Sequence, residues 1–257
     1  MTAIPSTPSR ATFLLGFLLL AAAWILVADI GGLVNAILLP PLVDVLKRLG
    51  ELILNGSLAR DLGATMMRWA YGFTLGVTAG TLAGLFLGVM PRIYRIFEGV
   101  IEFFRALPGT AIFPLFLILF GIGDASKIAL VFLPTFLLML VNASYGVLHA
   151  TPERRRALQA FGATPWQVFR HVVVFEALPQ IFIGLRLALS LSLIVIVVSE
   201  MFIGTEVGIG QRIYDSYLTT AVTTLYAYLL VMGCLGYALN KACMMLERRC
   251  VFWVGRA

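Results

Sequence analysis

Long apolar runs separated by short polar segments dominate the sequence. The runs that reach the roughly 20 residues needed for a membrane-spanning helix lie near 12–28, 66–90, 100–120, 127–149, 180–203 and 223–246. We therefore predict an all-α integral membrane protein with six transmembrane helices. Because no internal repeat is visible, residues 1–257 are expected to form a single transmembrane domain.

A shorter amphipathic pattern follows the first run. Pro40 and Pro41 suit the start of a helix, and apolar residues then recur at helical spacing up to Gly56. These apolar positions are Leu42, Val45, Leu46, Leu49, Leu52 and Ile53. We expect a short helix that lies at the outer membrane interface.

The second run carries a glycine at every fourth position. The positions are Gly72, Gly76, Gly80, Gly84 and Gly88. This spacing places them on one face of the helix, where the missing side chains let a neighbouring helix approach closely. We interpret this face as a packing surface and not as a ligand contact.

The start of the third run contains Arg105, Pro108 and Gly109, and two interpretations are open. A helix interruption would leave backbone groups free, which a membrane tolerates only where protein or a water-filled cavity satisfies them. Such an interruption could line a transport path. The alternative is a kink from which Arg105 extends its charge to the inner interface.

A compact basic segment, 151–171, separates the fourth and fifth runs. Pro152 can open a helix, and Glu153 falls in the first turn, where the helix dipole favours an acid. Gly162 suits either a close backbone approach or a helix end. A short helix with an exposed Trp166 fits a hydrophobic groove on another protein, and a solvated loop is the alternative.

The composition agrees with a membrane protein. The chain is 60% hydrophobic and 12% charged, with a mean hydropathy of +0.96. Soluble proteins have about 45–50% apolar and about 25% charged residues. The polar surface needed to keep a globule of this size in solution is therefore missing.

The distribution of positive charge predicts the orientation. If the N-terminus is cytoplasmic, only six of the 19 Lys and Arg residues fall outside: Lys47, Arg48, Arg60, Arg68, Lys127 and Arg212. By the positive-inside rule, both termini and the 151–171 segment are then cytoplasmic in a multi-pass membrane protein. Anionic membrane lipid and an inner partner explain the net charge of +6 without nucleic acid.

The N-terminus has two interpretations. Residues 1–10 followed by an apolar run also match a secretion signal. The run continues through Trp24 and is longer than a typical signal core, so we favour a retained first helix.

Catalytic motifs are missing from the sequence. None of Lys47, Lys127 and Lys241 follows a glycine, as a phosphate-binding loop requires. No H-E-x-x-H or G-x-S-x-G motif occurs, and His149 and His171 lie far apart. We predict no enzyme activity, no metal site and no cofactor held by this chain.

Polar residues inside the apolar runs are candidates for a transport pathway, because each is costly unless it faces the protein interior or a cavity. The candidates are Asn142, Tyr145, Ser192, Ser199 and Glu200. Ser192 and Ser199 are seven residues apart and share a helix face. For Glu200, buried pairing and an outer-interface position are alternatives to a role in gating.

Five short motifs occur along the chain in a specific combination. They are Pro114-Leu115, Phe120-Gly-Ile-Gly-Asp124, Gly162-Ala163, Ala177-Leu-Pro179 and Gly184-Leu-Arg186. From about Leu39 to Trp253 the chain resembles permease subunits of bacterial ATP-binding-cassette importers, in the branch for nitrate, sulfonate, taurine and bicarbonate. The resemblance implies the type I importer permease fold and inward passage of a small polar or anionic solute by alternating access.

The resemblance also implies a place in the bacterial plasma (inner) membrane, and it implies partners. These are a second permease copy in a homodimer, two cytoplasmic ATPase subunits that bind ATP and Mg²⁺, and an external or periplasmic solute-binding protein. The 151–171 segment would be the coupling helix that docks into the ATPase. The docking residues implied are Arg154, Arg155, Arg156, Ala157, Gly162, Ala163, Thr164 and Trp166.

Two departures from the family pattern lie in or near this segment. The sequence Arg156-Ala157-Leu158 stands where the family has Glu-Ala-Ala, and Val174-Phe175 stands where it has Leu-Pro. The Gly162-Ala163 pair and Trp166 remain, so docking is still expected. A salt bridge through the glutamate that the family has at position 156 is not expected.

Two other functions fit parts of the sequence. An ion-gradient-driven secondary carrier predicts paired intramembrane acids or an inverted repeat, and neither is visible. A membrane scaffold for a cytoplasmic complex explains the 151–171 segment but not the polar residues of the fourth and fifth runs. The importer permease explains both.

Overall fold

The structure, a computed structural model, describes residues 10–30, 35 and 38–253. Every regular element in these ranges is helical, and the all-α fold is confirmed. In chain order the α-helices are α1 Arg10–Ile25, α2 Leu42–Leu54, α3 Ser57–Val89, α4 Pro91–Ala106, α5 Phe113–Phe120, α6 Asp124–Leu148, α7 Pro152–Ala160, α8 Pro165–Val168, α9 Val174–Ile203, α10 Ile209–Leu218 and α11 Val222–Cys250. The termini that we predict to be cytoplasmic, 1–9 and 254–257, lie outside the described residues.

Four described helices are long and apolar enough to cross a membrane. They are α3, α6, α11 and a continuous helix, Pro165–Ile203, that contains α9. The predicted first span corresponds to α1, which has 16 residues and passes into a π-helical turn, Leu26–Ile30.

The apolar run predicted over 100–120 is divided in the structure, because the chain breaks there into α4 and α5. Leu107 has an extended backbone, with ψ of 127°, as expected for a residue that precedes proline. A 3₁₀ turn, Gly109–Ile112, then leads into α5. Of the two alternatives for Arg105–Thr110, the structure shows the helix interruption.

Contacts within the chain define two compact units. One contains 1–59 and 212–231, and the other contains 60–211 and 232–257. The single domain predicted over 1–257 stays a prediction. All candidate pathway and docking residues lie in the second unit.

The first unit contains the predicted amphipathic helix α2. It begins after Pro41, and its buried side chains are Val45 and Leu52. Arg48 Nε of α2 donates a hydrogen bond to Thr224 Oγ1 at 2.9 Å. The helix forms as predicted, and its place at the outer membrane interface stays a prediction.

In the second unit, the glycine face of α3 packs on α6, as we interpreted it. A Cβ added at Gly72 would lie 2.6 Å from the Ile128 carbonyl oxygen, and one at Gly76 would lie 2.7 Å from Thr135 Cβ. Carbon atoms in real proteins do not approach so closely, so any side chain there would push the helices apart. The glycines therefore allow the close contact of α3 with α6.

The helices α6 and α9 form the centre of this unit. Gly146 of α6 lies against Ala177 of α9, and Gly184 of α9 lies against Asn142 of α6. The core around them includes the buried residues Leu130, Val131, Leu189, Leu193 and Ile196. This core fixes the positions of the polar residues that α6 and α9 carry.

Candidate functional site

The 151–171 segment folds into two short helices. After α7, Thr164 caps α8: its Oγ1 accepts a hydrogen bond from the Gln167 N–H at 3.3 Å. Gln167 Oε1 in turn accepts one from the Thr164 N–H at 2.7 Å, which completes a capping box. A π-helical turn, Phe169–Val173, joins α8 to α9 without a break. The segment is thus a folded element and not an irregular loop.

Gly162 ends α7 in the left-handed region of backbone conformation, with φ of +81°. Its N–H donates to the Gln159 carbonyl at 2.9 Å, and the Ala163 N–H donates to the Leu158 carbonyl at 3.3 Å. These two bonds form a Schellman helix end. A Cβ at position 162 would meet nothing within 4 Å in the described chain. The structure therefore gives Gly162 the second of its predicted roles, the helix end.

Two of the three arginines at the start of the segment hold it in place. Arg154 Nη1 pairs with Glu176 Oε1 at 2.9 Å, and Arg155 Nη2 donates to the Val147 carbonyl at the end of α6 at 2.6 Å. Arg156 is exposed and has no ion pair or side-chain hydrogen bond within the described residues. It is therefore the arginine that is free to meet a partner.

Two large apolar side chains of this segment face outward. Phe161 is 89% exposed and Trp166 is 66% exposed. Ala157 is also exposed, and Ala163 is half-buried. The sequence analysis missed Phe161; the signal was an aromatic residue outside the apolar runs, directly before a helix-ending glycine. The segment thus exposes one aromatic side chain on each side of Gly162 in the sequence.

Substitution at Gly162 can separate a conformational role from a contact role. We expect Gly162→Leu to destabilise the end of α7 by about 1–2 kcal/mol, because the left-handed conformation is costly for a residue with a Cβ. Gly162→Asn should cost less, since Asn tolerates this conformation. Thermal unfolding of the purified variants is the measurement. Equal destabilisation in both variants would contradict the conformational role.

The two pathway candidates on α6 differ in environment. Asn142 Oδ1 accepts a hydrogen bond from Gln180 Nε2 of α9 at 2.9 Å, so Asn142 lies in the contact between α6 and α9. Tyr145 is 50% exposed and stacks on His149, with ring centroids 3.8 Å apart. One side chain is thus held within the contact of two helices, and the other is half exposed.

The two candidate serines of α9 are both fully buried. Ser192 Oγ accepts a hydrogen bond from Trp69 Nε1 of α3 at 2.8 Å. Ser199 Oγ donates to the Ile196 carbonyl of its own helix at 2.8 Å. Both hydroxyls are satisfied inside the helix bundle, and their place on a pathway stays a prediction.

Glu200, near the end of α9, is also fully buried. Its Oε1 accepts a hydrogen bond from Arg68 Nη1 at 2.7 Å. Its Oε2 accepts from Thr65 Oγ1 at 2.9 Å and from the Gly210 N–H at 3.0 Å. Both carboxylate oxygens are paired within the chain, which favours the buried-pairing alternative. A gating role for Glu200 stays a prediction.

Arg68 is the residue of this cluster that the sequence analysis missed. Its Nε pairs with Asp124 Oδ1 at 2.6 Å, and its Nη1 also donates to the Val207 carbonyl at 2.8 Å. Arg68 thus ties α3 to the start of α6 and to the loop after α9. The signal was the spacing of Asp61, Thr65 and Arg68, which places three polar side chains on one face of α3.

A cavity of about 320 Å³ lies at the interruption between α4 and α5. Its wall includes Arg105 and Gly109 from the interruption, Pro134 from α6, and Leu191 and Val195 from α9. The mostly apolar lining with one nearby cation suits brief contact with a small solute. The interruption therefore lines a cavity, as its first interpretation required.

Comparison with known proteins identifies the family. Residues 76–249 match the family described as binding-protein-dependent transport system inner membrane component. The chain belongs to this family. It is 31% identical to a probable ABC transporter permease protein of Brucella abortus (strain 2308) over 95% of this chain and 96% of that protein.

Two further similarities agree with the family. The chain is 30% identical to the taurine transport system permease protein of Escherichia coli (strain K12) over 92% of this chain and 87% of that protein. Its fold is similar to a chain of the inward-facing MetNI methionine ABC transporter, with a TM-score of 0.59, 21% identity, and coverage of 76% of this chain and 94% of that chain. The type I permease fold expected from the motifs is confirmed.

Proposed function

We propose that this chain is the membrane-spanning permease subunit of an ATP-driven importer. It passes a small polar or anionic solute from an external binding protein to the cytoplasm by alternating access. The observation that carries the proposal is the folded 151–171 segment, whose Phe161 and Trp166 expose apolar surface that its own chain leaves uncovered. Exposed apolar patches of this kind mark protein interaction sites.

The motifs and the cavity support the proposed solute class. A sulfonate, nitrate or taurine-like solute agrees with the branch that the motifs resemble and with the taurine permease among the relatives. Arg105 at the cavity supplies a positive charge, which its ion pair with Glu102 partly neutralises. Such a weak anion contact suits a passage in which the external binding protein supplies the selectivity.

The partners and the orientation are part of the proposal. Two copies of this chain form the pathway as a homodimer, and two cytoplasmic ATPase subunits bind ATP and Mg²⁺ and hydrolyse the ATP. The 151–171 segment and both termini face the cytoplasm of the bacterial inner membrane. This arrangement is supported by the positive charge of the segment, in which Arg156 is available to a partner.

Reconstituted ATP hydrolysis tests the proposal. The permease is co-expressed with its ATPase, placed in lipid nanodiscs and mixed with the solute-loaded binding protein. Phe161→Ala should reduce stimulated hydrolysis at least tenfold, since truncating an aromatic anchor of an interface commonly costs about 2 kcal/mol or more. Phe86→Ala, which truncates a 56% exposed phenylalanine of α3, is the control and should have no effect.

The same assay separates the rival functions. A scaffold would retain the ATPase in a pull-down but show no solute-dependent hydrolysis. A secondary carrier would take up solute in response to an ion gradient without ATP. Equal activity of Phe161→Ala and Phe86→Ala would contradict the docking role of the 151–171 segment.

A further inference from the structure

A groove lies between the first turns of α9 and the last turns of α11. Its volume is about 370 Å³. Apolar side chains form its walls: Pro179 and Ile183 from α9, Met244 from α11, and Val251 directly after α11. The ring of Phe175 in α9 packs at a tilt of 49° against the ring of Trp253, which follows α11, with centroids 5.7 Å apart.

Two arginines and one glutamate complete the lining of this groove. Arg186 Nη2 pairs with Glu247 Oε2, while Arg186 Nε is buried and has no hydrogen-bond partner among the described residues. Arg248 is exposed and forms no ion pair within the described chain. One excess positive charge and one buried N–H without an acceptor remain, and the buried N–H is costly until an acceptor reaches it.

We propose that this groove binds an anionic glycerophospholipid of the surrounding membrane. The phosphate diester supplies the counter-charge for Arg248, because guanidinium groups suit phosphate oxygens. It also supplies an acceptor oxygen for Arg186 Nε once the Arg186 side chain turns this buried atom toward the groove. The acyl chains cover the apolar walls at Ile183 and Met244. A free phosphate ion would satisfy the charges but leave these walls bare. Basic pockets between transmembrane helices bind anionic head groups in this way.

Neighbouring arginines provide a matched test. Arg248 lines the groove, and Arg249 is equally exposed but does not line it. The purified permease is mixed with equimolar dioleoyl phosphatidylglycerol and dioleoyl phosphatidylcholine, and bound lipid is counted by native mass spectrometry. We expect about a fivefold preference for phosphatidylglycerol in the unmodified protein and in Arg249→Gln, and loss of the preference in Arg248→Gln.

Thermal unfolding identifies the molecule that binds in the groove. Thermal unfolding is followed in phosphatidylcholine nanodiscs with added phosphatidylglycerol or with inorganic phosphate. Stabilisation by the lipid alone supports the proposal, and equal stabilisation by phosphate would overturn it in favour of a free anion. Equal loss of lipid preference in Arg248→Gln and Arg249→Gln would overturn it by showing only a diffuse surface charge. None of these outcomes depends on ATP hydrolysis, so the proposed transport function is judged separately.

Discussion

Replacement of Glu200 by glutamine is expected to lower the free energy of unfolding by about 3 kcal/mol, because removing one partner of a buried ion pair leaves the other charge under-compensated. Arg68, the partner, is only 8% exposed. The matched control is Asp124→Asn. Asp124 pairs with the same guanidinium, but its side chain is 61% exposed, so its loss should cost less than about 1 kcal/mol. Thermal unfolding of the purified variants in one detergent is the measurement.

A double variant checks the cause of this effect. Adding Arg68→Met to Glu200→Gln removes both buried charges, so the double variant should be more stable than the sum of the two single losses predicts. Additive losses would contradict charge pairing as the cause. If Glu200→Gln unfolds normally but alters transport, the gating role predicted from the sequence gains support over the structural one.

The second large effect is expected at the contact of α3 with α6. Gly76→Leu should destabilise the protein by about 3 kcal/mol, because its Cβ would lie 2.7 Å from Thr135 Cβ and the helices must separate. Gly63→Leu on the same helix is the control, since a Cβ there meets nothing within 4 Å. That variant should be neutral or gain up to about 1 kcal/mol from helix propensity. Equal losses at both sites, measured by thermal unfolding, would contradict close packing.

Features that depend on local sequence were predictable. Hydropathy located the apolar helices, because a membrane span needs a continuous apolar run. The glycine spacing of α3 predicted a packing face, because helix geometry alone places Gly72 and Gly76 together. The interruption at Pro108 could be narrowed to two alternatives, because proline restricts the residue before it.

The Glu200 cluster could not be predicted, because its partners are distant in sequence. Arg68 and Glu200 are 132 residues apart, and no local pattern connects them. The charge count placed Arg68 on the outer side of the membrane, and it could not show that the Arg68 side chain is buried in the bundle. The role of Gly162 was also open, because a helix end and a close partner contact both favour glycine. The helix end became visible only in the backbone hydrogen bonds of the structure.

The unbroken helix Pro165–Ile203 has a mechanical consequence: a small tilt at one end becomes a large displacement at the other. Its 39 residues make a rod of about 57 Å, with Trp166 near one end and Glu200 near the other. A tilt of about 5° at the Trp166 end would displace Glu200, about 51 Å away, by about 4 Å. The π-helical turn Phe169–Val173 and Pro179 both lie in the first half of the helix, so bending is expected there, while the residues after Pro179 move together.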